Sequence, residues 1–132
     1  MLTCIALVLG VSFAELPALA TEVETEARAL TAQTQITPAF LAGVEEFSAD
    51  AERFSVSLRE LGVAQGRPCI FHGISEDALV RVAELRAADT TAERETAFTN
   101  LRVLLDDAIL IAPMAAAAAV DAQAEQQHAT NE

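Results

Sequence analysis

The sequence predicts an all-α fold: a small antiparallel bundle of four to five helices that follows an N-terminal signal segment. Two long stretches repeat apolar residues at intervals of three and four, the spacing of one helix face. No stretch alternates apolar and polar residues for long enough to predict a strand. The predicted organisation is a signal peptide over residues 1–20, a helical bundle over 21–127 and a disordered tail over 128–132.

The first twenty residues have the pattern of a secretory signal peptide. An apolar run from Leu2 to Ala14 is followed by Ala18-Leu19-Ala20, a small-x-small sequence of the kind after which signal peptidase cuts. The start of the segment lacks the usual Lys or Arg. The run is shorter than the about 20 apolar residues that span a membrane, which disfavours the alternative of a retained anchor. We expect cleavage after Ala20 and a periplasmic or secreted protein.

The composition predicts one globular domain and excludes two classes of partner. Hydrophobic residues make up 52% of the 132 residues, a balance typical of a packed core. Asp and Glu number 20 against 8 Lys and Arg, which gives a formal net charge of -12. Because such a surface repels phosphates and anionic lipid headgroups, we expect neither nucleic acid nor a membrane as partner of the mature protein.

The first helix of the mature chain is predicted to be short. Thr21 and Glu24 have the spacing of a capping box, and Glu24 and Arg28 form a favourable four-residue pair. The polar residues 31–35 are expected to end this helix.

The organising helix is predicted from Thr37 to Leu61. Thr37 is a good N-cap, Pro38 fits the first helical position, and Gly62 can adopt the left-handed conformation that stops a helix. The apolar stripe contains three of the six Phe of the chain and requires cover from other helices. Its members are Phe40, Val44, Phe47, Ala51, Phe54, Leu58 and Leu61.

The segment from Gly62 to Ile74 is predicted to be an apolar loop that plugs one end of the bundle, because it contains three Gly and one Pro. A short helix is expected to start at Ser75 as N-cap, with Leu79 and Val82 on its inner line. An ion pair is expected between Asp77 and Arg81.

The second long helix is predicted from Thr91 to Ala112, with a capping box at Thr90 and Glu93. It is expected to pack against the organising helix. Pro113 is expected to kink or break it, and a helical run then continues to about Gln127. Val103 and Leu110 lie on the polar side of this helix, which makes them candidate residues for contact with a partner.

Cys69 and His72 are the weak candidates for chemistry. After the predicted cleavage, Cys69 is the only cysteine, so it can be a buried apolar residue, part of an intermolecular disulfide or a reactive thiolate. The C-x-x-H spacing is half of a zinc site, but a structural zinc needs four ligands. Glu125 and His128 are spaced for one helix face, but a di-metal bundle needs a second such pair. We therefore expect no metal and no cofactor.

The sequence contains no complete catalytic motif. We expect a small acidic exported protein without catalysis that binds a protein partner or forms a homo-oligomer, through Val103 and Leu110. One alternative is a thiol- or metal-dependent enzyme or redox protein centred on Cys69 and His72. The other is a carrier that holds a small apolar ligand between the two long helices.

Overall fold

The computed structural model describes residues 14–64 and 66–131, which form four α-helices and no strand. The prediction of an all-α bundle is confirmed, with four helices. Most of the predicted signal segment, including Cys4, lies outside the described residues. The helices are α1 (Leu16–Thr31), α2 (Pro38–Glu60), α3 (Gly66–Ala87) and α4 (Thr91–Thr130).

The four helices surround one core, and helices that follow each other in the chain are neighbours. α1 packs on α2, α2 on α3 and α3 on α4, and α4 returns to α1. The long helices α2 and α4 lie diagonally across the core and make few contacts, one of which is an edge-to-face pair between Phe40 and Phe98 with ring centroids 5.7 Å apart. The prediction that these two helices close directly on each other is therefore wrong. Each covers its apolar stripe with α1 and α3 instead.

Helix α2 has the predicted start, core face and stop. The Phe40 N–H donates to the Thr37 hydroxyl at 3.1 Å, and Pro38 occupies the first turn. Gly62 follows the helix with φ of 84°. Leu61, the last of the seven predicted stripe residues, is partly exposed and packs against the core. The other six are buried: Phe40, Val44, Phe47, Ala51, Phe54 and Leu58.

Helix α1 begins before the predicted site of cleavage. Pro17 lies in its first turn, where a missing N–H costs nothing, and the helix buries Leu16, Leu19 and Ala20 in the core. The predicted cap at Thr21 is wrong, because its hydroxyl donates to the Pro17 carbonyl at 2.9 Å inside the helix.

Helix α3 replaces most of the predicted loop. It starts at Gly66 and continues through Gly73, so Ser75 is a buried residue inside the helix and not an N-cap. Leu79 is exposed, and Arg81 pairs with Glu84 at 2.8 Å and not with Asp77. Burial against α2 outweighs the cost of about 1 kcal/mol for a helical glycine. The buried apolar face consists of Pro68, Phe71, Ile74, Ala78, Val82 and Leu85.

Helix α4 begins at the predicted cap and runs further than predicted. The Glu93 N–H donates to the Thr90 hydroxyl at 3.1 Å, and the Glu93 carboxylate accepts the Asp89 N–H at 3.0 Å. Of the predicted kink or break at Pro113, the break is wrong: the proline is exposed inside one helix that continues to Thr130. The alanines that follow are strong helix formers, and Ala115 and Ala119 join the core.

Candidate functional site

An exposed apolar strip runs along α4 on the side opposite its buried residues. Leu110 is 67% exposed and Val103 is 54% exposed, so both predicted contact residues are accessible in the monomer. Met114, Ala117 and Val120 are exposed on the same side. We call these five residues the outer face.

The helical register explains why the outer face is separate from the core. Val103, Leu110 and Ala117 are seven residues apart, and Met114 lies four residues after Leu110, so these side chains follow one line along the helix. The core side consists of Ala97, Leu101, Leu105, Ala108, Ala112, Ala115 and Ala119. Since these buried residues lie about half a turn from the outer face, none of the other three described helices, α1 to α3, covers it.

Helix α4 is also long and apolar enough to cross a membrane by length and composition alone. Only 28% of its most apolar 18-residue window is buried in the bundle. The stretch without a charged residue is shorter, however. It runs from Ala108 to Val120, between Asp107 and Asp121. At a rise of about 1.5 Å per residue this stretch is about 20 Å long, less than the about 30 Å of a hydrocarbon core.

Cys69 and His72 lie in the first two turns of α3, not in a loop. Cys69 is disulfide-bonded, so its sulfur is not a thiolate in this structure. The His72 ring lies between two carboxylates: Nδ1 is 2.7 Å from Glu52 on α2, and Nε2 is 3.3 Å from Glu76. His72 thus links α2 to α3.

Three carboxyl groups meet between α1 and α2. Oxygens of Glu22, Glu26 and Asp50 lie within 4.8 Å of one another, the one such group of possible metal-ligand atoms among residues 14–64 and 66–131. Arg53 donates a hydrogen bond to Asp50 at 2.8 Å. One oxygen of Glu26 is buried without a hydrogen-bond partner.

The surroundings of Glu26 favour its protonated form. Burial, a hydrogen bond with Asp50 and the charges of Asp50, Glu22 and Glu46 raise the pKa of Glu26 from 4.5 to about 8. At neutral pH the Glu26 carboxyl is therefore mostly protonated, and its O–H can donate a hydrogen bond to Asp50. Such a hydrogen bond joins α1 to α2.

Buried hydroxyl groups join α2 to α3. The Ser48 hydroxyl donates to the Ser75 carbonyl and the Ser75 hydroxyl to the Ser48 carbonyl, each at 2.8 Å. The Ser55 hydroxyl donates to the carbonyl of Pro68. These bonds satisfy the polar groups that the close contact of two helices buries, so they serve the fold.

An open groove of about 530 Å³ lies between the end of α3 and the start of α4. Arg81 and Glu84, which pair with each other, line one side, and Thr96 and Asn100 line the other. None of the residues that line this groove belongs to α2, so the groove is not the predicted ligand site between the two long helices.

The chain matches no protein-family model, no curated protein and no solved structure. The fold and the residues described above therefore carry the functional argument.

Sequence reasoning found part of the outer face and missed the carboxyl pair. Met114 and Val120 lie beyond Pro113, where the predicted kink or break leaves the helical register of Val103 and Leu110 undefined. The four-residue spacing of Glu22 and Glu26 was a visible signal, since like charges at that spacing destabilise a helix. Their meeting with Asp50 depends on the packing of α1 on α2, which no local pattern predicts.

Proposed function

We propose that the protein is an interaction module that binds a protein partner, or a second copy of itself, through the outer face of α4. The observation that carries this proposal is the exposure of Val103 and Leu110 on the side of α4 away from the core. Contiguous exposed apolar residues are typical of protein contact surfaces, whereas single ones are not.

We also propose that each helix runs antiparallel to the helix that follows it, and two contacts between α2 and α3 support this arrangement. Glu45 near the start of α2 pairs with Arg86 near the end of α3, and Ser55 near the end of α2 bonds to Pro68 near the start of α3. Gln126 near the end of α4 donates to the Leu61 carbonyl at the end of α2, at 3.3 Å, so these two diagonal helices run in the same direction, as an alternating bundle requires. In such a bundle α1 and α3 pack on the core side of α4, and the outer face of α4 points away from them.

We further propose that the protein is exported, with residues 1–20 as the signal segment. The disulfide at Cys69 supports an oxidising compartment. Cleavage after Ala20 would remove three core residues of α1 and also Cys4, the only other cysteine of the chain. A processed chain could then make the Cys69 disulfide only with another molecule.

Intact mass of the exported protein tests this second proposal. We expect the mass of residues 21–132, with an added mass on Cys69 that reduction removes. A full-length mass that rises by two hydrogens on reduction would contradict cleavage and would show a disulfide within one chain.

The contact proposal is tested with the double variant Val103→Asp, Leu110→Asp. Both positions are exposed, so we expect its circular dichroism and melting temperature to stay close to those of the wild type. Size-exclusion chromatography with light scattering, and pull-down with the wild-type chain as bait, should both lose the complex.

The matched control is Leu79→Asp, Val80→Asp, which changes two exposed apolar residues of α3. It should keep the complex. If the wild type is a strict monomer and neither variant differs from it in solubility or pull-down, the outer face is not a contact surface.

A further inference from the structure

We infer that the occupant of the outer face is a cationic amphipathic helix of a different protein, with one apolar line flanked by Lys or Arg. This inference rests on the proposed function and adds the chemistry of the partner. Acidic residues border the outer face, no arginine of the described chain pairs with them, and the apolar residues form a narrow line of the length of one helix.

Acidic side chains border the apolar line of the outer face on both sides. At about 100° per residue, Asp106 lies about 40° to one side of Leu110 and Asp107 lies about 60° to the other. Asp121 and Glu125 follow about three and about four turns further along α4, each within about 60° of the same line. All four carboxylates are on exposed residues. The outer face is therefore an apolar line inside an acidic border.

The four carboxylates of this border are available to a partner. In the described parts of the chain, residues 14–64 and 66–131, no ion pair includes any of them. Arg102, the arginine nearest to the outer face along α4, donates to the Thr31 carbonyl at 3.1 Å. Its guanidinium carbon also lies 5.6 Å from the centre of the Phe98 ring, so this cation is directed towards α1.

The border selects the charge of the partner. An apolar helix without cations would crowd these carboxylates without pairing them, which is unfavourable. A helix with Lys or Arg beside its apolar residues can pair with them at the rim of the contact, while the methylene groups of those long side chains cover apolar surface. The net charge of -12 also attracts a cationic helix from a distance.

The same charges disfavour two other occupants. A second copy of the chain would bring one acidic border against another, and each copy carries a net charge of -12. An anionic lipid surface is repelled in the same way. The uncharged stretch between Asp107 and Asp121 is also too short to span a bilayer.

The shape of the outer face fits one helix. From Val103 to Val120 the line is about 26 Å long. Because the backbone groups in the interior of α4 are already bonded within the helix, an extended strand has no edge to join, whereas a helix can pack its side chains along the line. One helix on one helix buries at most about 1,200 Å², so we expect a dissociation constant of about 1 to about 100 μM.

Fluorescence anisotropy of labelled synthetic peptides with the full chain tests the inference. The probe is a peptide of about 18 residues with Leu spaced alternately by three and four, Lys on both sides of that line and Ala elsewhere. A second peptide has Glu in place of Lys, and a third has the composition of the probe in an order that scatters the Leu residues. The probe should bind in the range given above, and the other two should bind at least about 10-fold more weakly.

Two charge variants separate the border from the general negative charge of the protein. Asp106→Asn, Asp107→Asn should weaken binding of the probe about 3- to 10-fold at low salt, because two rim pairs are lost. The matched control, Glu60→Gln, Asp77→Asn, removes the same charge from exposed residues of α2 and α3. It should leave the dissociation constant within about two-fold of the wild type.

Two apolar variants test the line itself. Val103→Ser, Leu110→Ser should weaken binding of the probe about 10-fold or more, because both side chains lose their apolar contact. Leu79→Ser, Val80→Ser makes the same kind of change at exposed residues of α3 and should alter binding less than about two-fold.

The outcomes separate this inference from the proposed function. Probe binding that both outer-face variants weaken and both controls preserve supports the inference. Equal binding of the Lys and Glu peptides, or equal weakening by the two charge variants, overturns it. A wild type that binds no probe but forms a dimer sensitive to Val103→Ser, Leu110→Ser overturns the inference while the proposed function stands. Flotation with neutral phosphatidylcholine vesicles, lost in the same variant, in a chain that binds no probe overturns both.

Discussion

Removing the Glu26 proton should loosen the contact between α1 and α2 as the pH rises. In the folded protein the pKa of Glu26 is raised to about 8, whereas an unfolded chain releases this proton near 4.5. Between these pH values the folded state binds more protons than the unfolded state. The contribution of Glu26 to stability is thus complete below pH 4.5 and is lost as the pH rises towards 8.

The structure limits the size of this effect. The shift of the pKa would correspond to at most about 5 kcal/mol, at about 1.4 kcal/mol for each pH unit. Glu26 is only partly buried, and solvent screens its interactions with Glu22 and Asp50. We therefore expect the free energy of unfolding to fall by about 1 to 2 kcal/mol between pH 5 and 9 through this group.

Urea unfolding at a series of pH values measures the effect, with Glu26→Gln as the test variant. An amide can still donate a hydrogen bond to Asp50 but carries no charge at any pH. The variant should match the wild type near pH 5 and exceed its stability by about 1 to 2 kcal/mol near pH 9.

Glu24→Gln is the matched control on the same helix. Glu24 pairs with Arg28 at 2.9 Å on the surface, so its loss should cost less than about 1 kcal/mol and leave the wild-type pH dependence intact. Parallel pH profiles for the wild type and Glu26→Gln would refute the reasoning.

Two further predictions concern the backbone and the buried hydroxyls. Gly62→Ala should destabilise the protein by about 1 kcal/mol, because φ is 84° there and an added Cβ would lie 2.6 Å from the side-chain amide nitrogen of Gln126. Gly73→Ala, by contrast, places a methyl group in open space at a helical position and should stabilise the protein by about 0.5 to 1 kcal/mol. Thermal melts of the two variants beside the wild type measure both effects. Ser48→Ala and Ser75→Ala should each cost about 1 to 2 kcal/mol, and a double-mutant cycle in urea should give a coupling of about 0.5 to 1 kcal/mol; fully additive losses would contradict the reciprocal bonding.

The sequence predicts α2 well because every local signal there agrees with the tertiary structure. The Thr37 cap, Pro38 in the first turn, the apolar stripe and Gly62 at the end all specify one helix, and the structure has that helix. The capping box at Thr90 specifies the start of α4 in the same way.

The sequence fails where local and tertiary preferences disagree. Three glycines and a proline in the segment from Gly62 to Ile74 predict a loop, yet the chain is helical from Gly66 and buries Phe71 and Ile74 in the core. At Pro113 the ring faces solvent, so the helix continues while core contacts on the other side hold it. In both places packing between helices decides the structure, and a single-sequence pattern does not report which surfaces meet.

The same distinction explains which part of the candidate site was predictable. Val103 and Leu110 depart from the polar side of a helix whose register is clear, so their exposure follows from the sequence alone. The meeting of Glu26 with Asp50 requires α1 to lie on α2, and this contact between helices is not written in either helix alone.

The predicted cleavage and the Glu26 proton therefore depend on each other. A chain that begins at Thr21 loses the first turn of α1, and Glu22 and Glu26 then lie near the new helix start, where the free N–H groups favour negative charge. That field would lower the pKa of Glu26 towards its ordinary value and would weaken the pH dependence described above. The urea series on residues 21–132 beside the full chain would thus report, through one carboxyl group, how much the first turn of α1 contributes to the raised pKa of Glu26.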